Sequence, residues 1–277
     1  MEQSNLEVWR AHARQWQRVG APLRPTQEDG ELLLALSAPA LSESVCARLL
    51  VMGVTPEVVQ LEWPSHVELL AVDHSQEMID SVWCPHHSIP SAVKQASWQS
   101  MPLEEDSVDS AVGDGCLTVL PSLADYERVF AEVARVLRPG GSLVLRCFIR
   151  PDTGESIESV VADAMAGRVG SFHTLKWRVA MTLSADEDHR VPVADIHALF
   201  EQVFPDRGAL AQQAGWQREV IDTIDAYRGV GTVYTFPVLD AVRRLASNNF
   251  EVSEVRCGSY ELAERCPTVL FTPIGKN

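Results

Sequence analysis

No stretch of this 277-residue chain carries the full Gly-x-Gly-x-x-Gly fingerprint of a dinucleotide loop, and neither Gly-x-x-x-x-Gly-Lys nor Gly-x-Ser-x-Gly occurs. These absences argue against nicotinamide-dependent oxidoreductases, P-loop kinases and α/β-hydrolases. Lysine is scarce (Lys94, Lys176 and Lys276), and no Tyr-x-x-x-Lys pair of the short-chain dehydrogenase type is present. Positive charge is short: 23 Lys and Arg face 38 Asp and Glu, a formal net charge of −15. Such a surface repels phosphate backbones, so neither nucleic acid nor an anionic membrane is an expected partner. No apolar run approaches the roughly 18 residues of a membrane helix. The six cysteines form no Cys-x-x-Cys. Cys84-Pro-His86-His87 lacks a second ligand pair, so no metal is expected. The opening MEQSNLEVWR has no basic-then-apolar signal pattern, and a cytoplasmic location is the expectation.

What is present is alternation. Leu6, Trp9, Ala13, Trp16 and Val19 fall on one helical face, while Arg10, Arg14, Arg18 and Arg24, at roughly helical spacing, read as a solvated face with a small anion-binding role as the alternative; Thr26-Gln-Glu-Asp29 then reads as a capping box for a helix through Leu36. Apolar strands are predicted at 48–52, 66–72, 108–112 and 142–148, with a short extended piece at 98–102. Helices lie between them, most clearly the amphipathic 125–137. This rhythm implies an α/β doubly wound, mostly parallel sheet. From Pro151 to Gly231 the strand rhythm gives way to helical segments at 155–166, 173–183, 193–204, 207–214 and 218–227. A helix from Pro237 and two edge strands, 251–257 and 268–272, close the chain. Four regions follow: 1–44, 45–150, 151–231 and 232–277.

The chemistry concentrates where LLVMGVTPEVVQL (49–61) runs from strand into helix. Gly53 permits close approach to the backbone, Thr55 can cap, and Pro56 suits the first helical position. A helix there would aim free N–H groups at the crevice above the sheet. Twenty residues on, Asp73 ends the second strand, the spacing at which a carboxylate holds ribose hydroxyls. Asp73 could equally cap the helix that begins at Ser75.

VMGVTPEVV, AVDHSQEM, WQSMPLEEDSVDSAVGDG and VFAEVARVLRPGGSLVLRCF, in that order, resemble the class I S-adenosylmethionine-dependent methyltransferases, here a variant with Gly-Val-Thr-Pro-Glu in place of the glycine-rich motif. The resemblance covers about 45–150 and returns from Pro237 to the end. It implies a Rossmann-like, seven-stranded sheet with a helical insertion as substrate cap, a C-terminal antiparallel edge hairpin, and N-terminal helices over the cofactor crevice. S-adenosylmethionine would be the cofactor and S-adenosylhomocysteine the product. Gly53, Val54 and Thr55 would face the methionine and ribose, Asp73 the ribose, and His74 and Met78 the adenine. Ser97 and Trp98 stand at the adenine edge, and Asp114, in Gly113-Asp-Gly115, would hold the methionine amino group.

The implied reaction is direct methyl transfer to an unidentified small molecule; the alternative is a catalytically silent binding or scaffold protein that keeps the fold. Candidate catalytic residues in the cap are His173, Tyr227 and Arg228, with Tyr234, Asp222 and Asp225 beside them. Each also has a plain structural reading: His173 as a packing residue, Arg228 as a partner of a helix end, and the acids as a solvated face.

Overall fold

The computed structural model describes residues 16–184 and 187–275; most of the predicted N-terminal helical face, Leu6 to Ala13, lies outside them. Thr26 opens α1 (Gln27–Ser42) with a reciprocal capping box. Its Oγ1 accepts from Asp29 N, and Asp29 Oδ2 accepts from Thr26 N. The helix runs past the predicted end at Leu36, burying Leu33, Leu36, Ala40 and Leu41.

The core then alternates as β1 (Ala47–Met52), α2 (Pro56–Val59), β2 (Val67–Asp73), α3 (Gln76–Val82), β3 (Ser91–Gln95), β4 (Val108–Asp114), α4 (Leu123–Val136) and β5 (Leu137–Arg146). One strand departs from the sequence expectation: β3 is Ser91–Gln95, and 98–102 contributes only an isolated Ser97–Ser100 bridge. The reason is physical. Ser-Ala-Val-Lys-Gln is a half-exposed edge strand without the apolar run that marks a central one, and Lys94 at such an edge discourages pairing with another chain.

After β5 come α5 (Ile157–Met165), α6 (Phe172–Thr182), β6 (Arg190–Pro192), α7 (Val193–Val203), α8 (Arg207–Ala214), α9 (Arg218–Ile221) with a 3-10 extension Asp222–Tyr227, and β7 (Val233–Thr235). The insertion is therefore not purely helical: β6 and β7 form an antiparallel ribbon that extends it past Gly231 to Thr235. α10 (Leu239–Ala246), β8 (Phe250–Arg256) and β9 (Thr268–Pro273) complete the chain.

The seven-stranded sheet has the order β3-β2-β1-β4-β5-β9-β8. Strands β1 to β5 pair parallel, and β9 joins β5 antiparallel before turning into β8. Strand β1 sits at the centre and is buried on both faces, which is why it reads as a continuous apolar run rather than an alternation. On α4, Ser122 caps through Asp125 N, and Phe130 packs against Phe271 and Phe250 at ring distances of 5.3 and 6.0 Å, tying the C-terminal hairpin to the parallel half. At the opposite end of the strands from the site, Asp109 accepts from Arg48 N, Ser44 Oγ and Arg138 Nη1. The insertion has its own core, in which Phe172, Phe200, Ile196, Ile221 and Phe236 are fully buried or nearly so.

Candidate active site

The strand order reverses between β1 and β4: the chain walks outward through β2 and β3, then crosses back to β4 and β5. Ligands of open α/β sheets bind beyond the carboxyl ends of the strands at such a switch point. A pocket opens there, with about 780 Å³ of empty space when the open solvent at its mouth is included.

Its floor comes from the strand ends. Gly53 leaves β1 with φ +108°, a backbone conformation that favours glycine, and donates its N–H to Val72 O at 2.8 Å. A side chain there would start 3.9 Å from Trp98 Cζ2 and 4.0 Å from Asp73 Oδ2. The Gly53 turn, Asp73 and the Trp98 indole thus meet at one point, with Trp98 oriented by its Nε1–H to Val72 O bond of 2.6 Å. The Asp73 carboxylate faces two neighbours. Its Oδ1 accepts from Ser75 N at 2.9 Å, at the start of α3, while Oδ2 lies on the Gly53 side. Burial pushes the Asp73 carboxyl above its ordinary value, only partly offset by Ser75 N–H and His74.

At the end of β4, Asp114 lines the pocket. Its Oδ1 takes the Arg146 Nε–H at 2.5 Å, and Arg146 is itself fully buried, reaching Pro22 O at 2.9 Å and Tyr260 Oη at 3.2 Å. Burial pushes the Asp114 carboxyl up and the guanidinium pulls it back. Gly115 follows with φ +60°; a Cβ would fall 2.5 Å from Phe148 Cε2, so glycine here lets that ring close the pocket wall.

Of the sequence-named residues, Gly53, Val54, Thr55, Asp73, Met78, Trp98 and Asp114 line this one pocket, and Tyr227 joins them from the cap. Others lie elsewhere. His74 is about half exposed, with Nδ1 3.7 Å from Asp73 Oδ1. Ser97 Oγ accepts from Gln99 N and does not reach the lining. His173 is buried outside the pocket, where its Nε2–H donates to Arg18 O at 2.8 Å. Burial and the neighbouring Lys176 pull His173 down to about 3. Arg228 pairs with Asp225 in an ionic cluster around Arg207, away from the site. The helix after Gly53 is only one turn: Thr55 makes no side-chain cap bond, and the Val58 and Val59 N–H groups bond Thr55 O, so they are not free donors. Pro56 does occupy the first helical position.

The sequence reading missed Cys116, Thr118, Val119, Phe148 and Trp177 as lining residues, and Val19 and Leu23 from the segment before α1. Cys116 is held as a neutral thiol by burial. Among the described residues no three His, Cys, Asp or Glu side chains come together as a metal site, and His86 is satisfied by Leu61 O across from it and by Ser88 N and Ile89 N within its own loop. No helix among them is long and apolar enough to cross a membrane.

This geometry coincides with a family match. Residues 51–145 fit the model described as "Methyltransferase domain". The match agrees with the resemblance of these residues to the class I S-adenosylmethionine-dependent methyltransferases. The wider chain shares the fold of solved structures. An N-methyltransferase, NodS from Bradyrhizobium japonicum, in complex with S-adenosylhomocysteine, has TM-score 0.51 and 14% identity, covering 98% of this chain and 97% of that one. The CcbJ methyltransferase from Streptomyces caelestis gives 0.54 and 14%, over 95% and 96%. A candidate Zn-dependent alcohol dehydrogenase from Rhodobacter sphaeroides gives 0.63 and 12%, over 98% of both chains. At such identities the likeness is of fold alone. An uncharacterized 37.1 kDa protein of transposon TN4556 from Streptomyces fradiae is 37% identical over 78 residues, 28% of this chain; the chain spans 22% of that relative's length.

S-adenosylmethionine, the cofactor of this domain family, suits the donor set. It carries no phosphate, so a one-glycine turn with the Val58 and Val59 N–H groups already bonded is not a defect for it, whereas a pyrophosphate would want the fuller glycine-rich loop.

Proposed function

We propose that the chain is an S-adenosylmethionine-dependent methyltransferase acting on a small molecule. The observation that carries this reading is the convergence of Gly53, Asp73, Trp98 and Asp114 at the switch point beneath a cap that closes the same pocket with Trp177, Tyr227 and Tyr234. Asp73 Oδ2 would accept from the ribose hydroxyls, Trp98 and Met78 would wall the base, and Asp114, paired with Arg146, would face the methionine ammonium. When bound, the cofactor supplies a methyl group already activated on a sulfonium.

The protein's part is then alignment and exclusion of water. Val19 and Leu23 line the pocket from a strap held at both ends. Arg146 Nη1 donates to Pro22 O, His173 to Arg18 O, and Arg24 pairs with Glu57 beside the Gly53 turn. With His173 outside the lining, the described residues place no imidazole or amine against the substrate, so the nucleophile would arrive ready to react.

Calorimetric titration of S-adenosylmethionine and S-adenosylhomocysteine into the wild type and Asp73→Ala tests the reading. Binding abolished by the substitution supports it. No binding by a folded wild type would leave the silent scaffold.

A further inference from the structure

The acceptor side of the pocket has flat walls and a particular charge pattern. Trp177 stands edge-to-face with Phe148 (5.3 Å, 85°) and Tyr234 (5.9 Å, 75°), and Tyr234 with Tyr227 (5.9 Å, 86°). Aromatic slots of this kind take flat rings in T-shaped or offset contact. Two polar atoms of the lining residues lack partners: Thr118 Oγ1 and Trp177 Nε1 are buried without a hydrogen bond, in side chains of residues only 2% and 4% exposed. Trp177 can only donate and Thr118 can donate, so the missing partner is an acceptor atom. A buried donor left unpaired is costly, and a ligand oxygen would remove that cost.

Two of the rings already carry a cation. The Arg146 guanidinium lies 5.0 Å from the Phe148 centroid and Lys176 Nζ 4.8 Å from that of Tyr227. Arg146 is balanced by Asp114 and Asp29. Lys176 is buried and forms no ion pair with a carboxylate among the described residues. The titratable groups that interact with it, His173 on the same helix and the Tyr227 phenol with its partner Tyr234, are all uncharged at neutral pH. The rings are thus ill placed to hold a second cation, and the only charge that Lys176 can take up there, held back by burial, is positive.

We propose that the methyl acceptor is a phenol, bound as its phenolate in this slot, with Trp177 Nε1–H and Thr118 Oγ1–H donating to the oxygen and Lys176 behind Tyr227 balancing its charge. The inference rests on the methyl-transfer reading above. The phenol proton leaves to solvent before the slot closes. A phenolate lone pair then forms the O–CH3 bond as the S–CH3 bond of the donor sulfonium breaks, that electron pair remaining on sulfur. An anion and a cation become an ether and a thioether, a loss of charge that an apolar, water-poor cleft favours. An amine acceptor would instead build positive charge beside Lys176. Burial holds Lys176 down to about 7, and an anion beside it would restore the ammonium.

The test is an absorbance titration of the full chain with 4-nitrophenol, whose phenolate is coloured, with and without S-adenosylhomocysteine. The expected result is that bound probe ionises about one pH unit lower than free probe, a preference for the phenolate of about tenfold. Lys176→Met should erase the preference, Lys176→Arg should keep it, and Trp177→Phe should weaken binding about tenfold. A probe bound as the neutral phenol overturns the proposal, as does no binding by wild type that does bind S-adenosylhomocysteine. A phenolate bound by protein that fails to bind S-adenosylhomocysteine would instead overturn the methyl-transfer reading and, with it, the role of acceptor.

Discussion

Replacing Asp73 by Asn separates what this residue does for the fold from what it does for a ligand. The amide oxygen can still accept from Ser75 N, where Oδ1 now bonds at 2.9 Å, so the start of α3 survives. What changes is the second oxygen, near Gly53, where an NH2 would replace a carboxylate acceptor. Hydrogen bonds to a charged group contribute about 1.5–3 kcal/mol, so the dissociation constant for S-adenosylmethionine should rise about 10- to 150-fold.

Stability should move the other way. Burial raises the Asp73 carboxyl, so the folded state favours the protonated form. For a raised acid, the relative stabilisation is present below the unfolded pKa and is lost as pH rises through the folded one. At neutral pH the wild type therefore holds a disfavoured carboxylate, which Asn removes. The expected pattern is a higher melting temperature with weaker binding. Wild-type affinity should also strengthen as pH rises through the raised Asp73 value, while Asp73→Asn stays flat across that window. Calorimetry and thermal melts over a pH series read all three. Unchanged affinity in Asp73→Asn would refute the ribose role, and a lowered melting temperature would refute the electrostatic argument.

Gly115→Ala meets both a left-handed backbone and the Phe148 ring, so it should destabilise by about 1–3 kcal/mol in urea titrations. Arg146→Ala leaves Asp114 as a buried charge without its partner, and a loss of about 3–5 kcal/mol is expected. The double change Arg146→Met with Asp114→Asn should recover most of it, measured as a double-mutant cycle. Asp109 is held below the usual carboxylate range: burial opposes its ionisation, but Arg48 N–H, Ser44 and Arg138 outweigh burial. For a lowered acid the stabilisation is present above the unfolded pKa and lost as pH falls through the folded one. Asp109→Asn should therefore cost about 1–3 kcal/mol at pH 7, with a difference from wild type that shrinks on acidification in denaturant titrations.

Much of the parallel core was legible because its signals are local. The capping box at Thr26, the apolar run of β1 and the Ser122-capped α4 each announce themselves within a few residues. Asp73 was legible for the same reason, its strand, turn and helix being contiguous. The edge strand Ser91–Gln95 was not, since half-exposed polar residues carry no burial pattern, and the ribbon partners β6 and β7 are too short and too far apart in sequence to show a period. His173 illustrates a different limit. Sequence can mark a histidine among apolar helices, but only the fold shows that its Nε2 is committed to the carbonyl of Arg18 rather than to the pocket.

The missing glycines of the opening loop follow from the same geometry. A glycine-rich loop keeps its side-chain space empty so that phosphates can approach several N–H groups. Here that space is filled by protein: Trp98, fixed through Val72 O, packs over Gly53, and the Val58 and Val59 N–H groups turn inward to Thr55 O. Only the residue beneath Trp98 and Asp73, at φ +108°, has a backbone conformation that favours glycine, and in this turn only that residue is glycine. Restoring a second glycine, as in Thr55→Gly, should therefore not improve the site. It would add backbone freedom to the turn while leaving the same N–H groups engaged, so S-adenosylmethionine should bind no tighter and the melting temperature should fall. Tighter binding by Thr55→Gly would show instead that this loop is an impaired form of the glycine-rich one, and that Trp98 does not take its place.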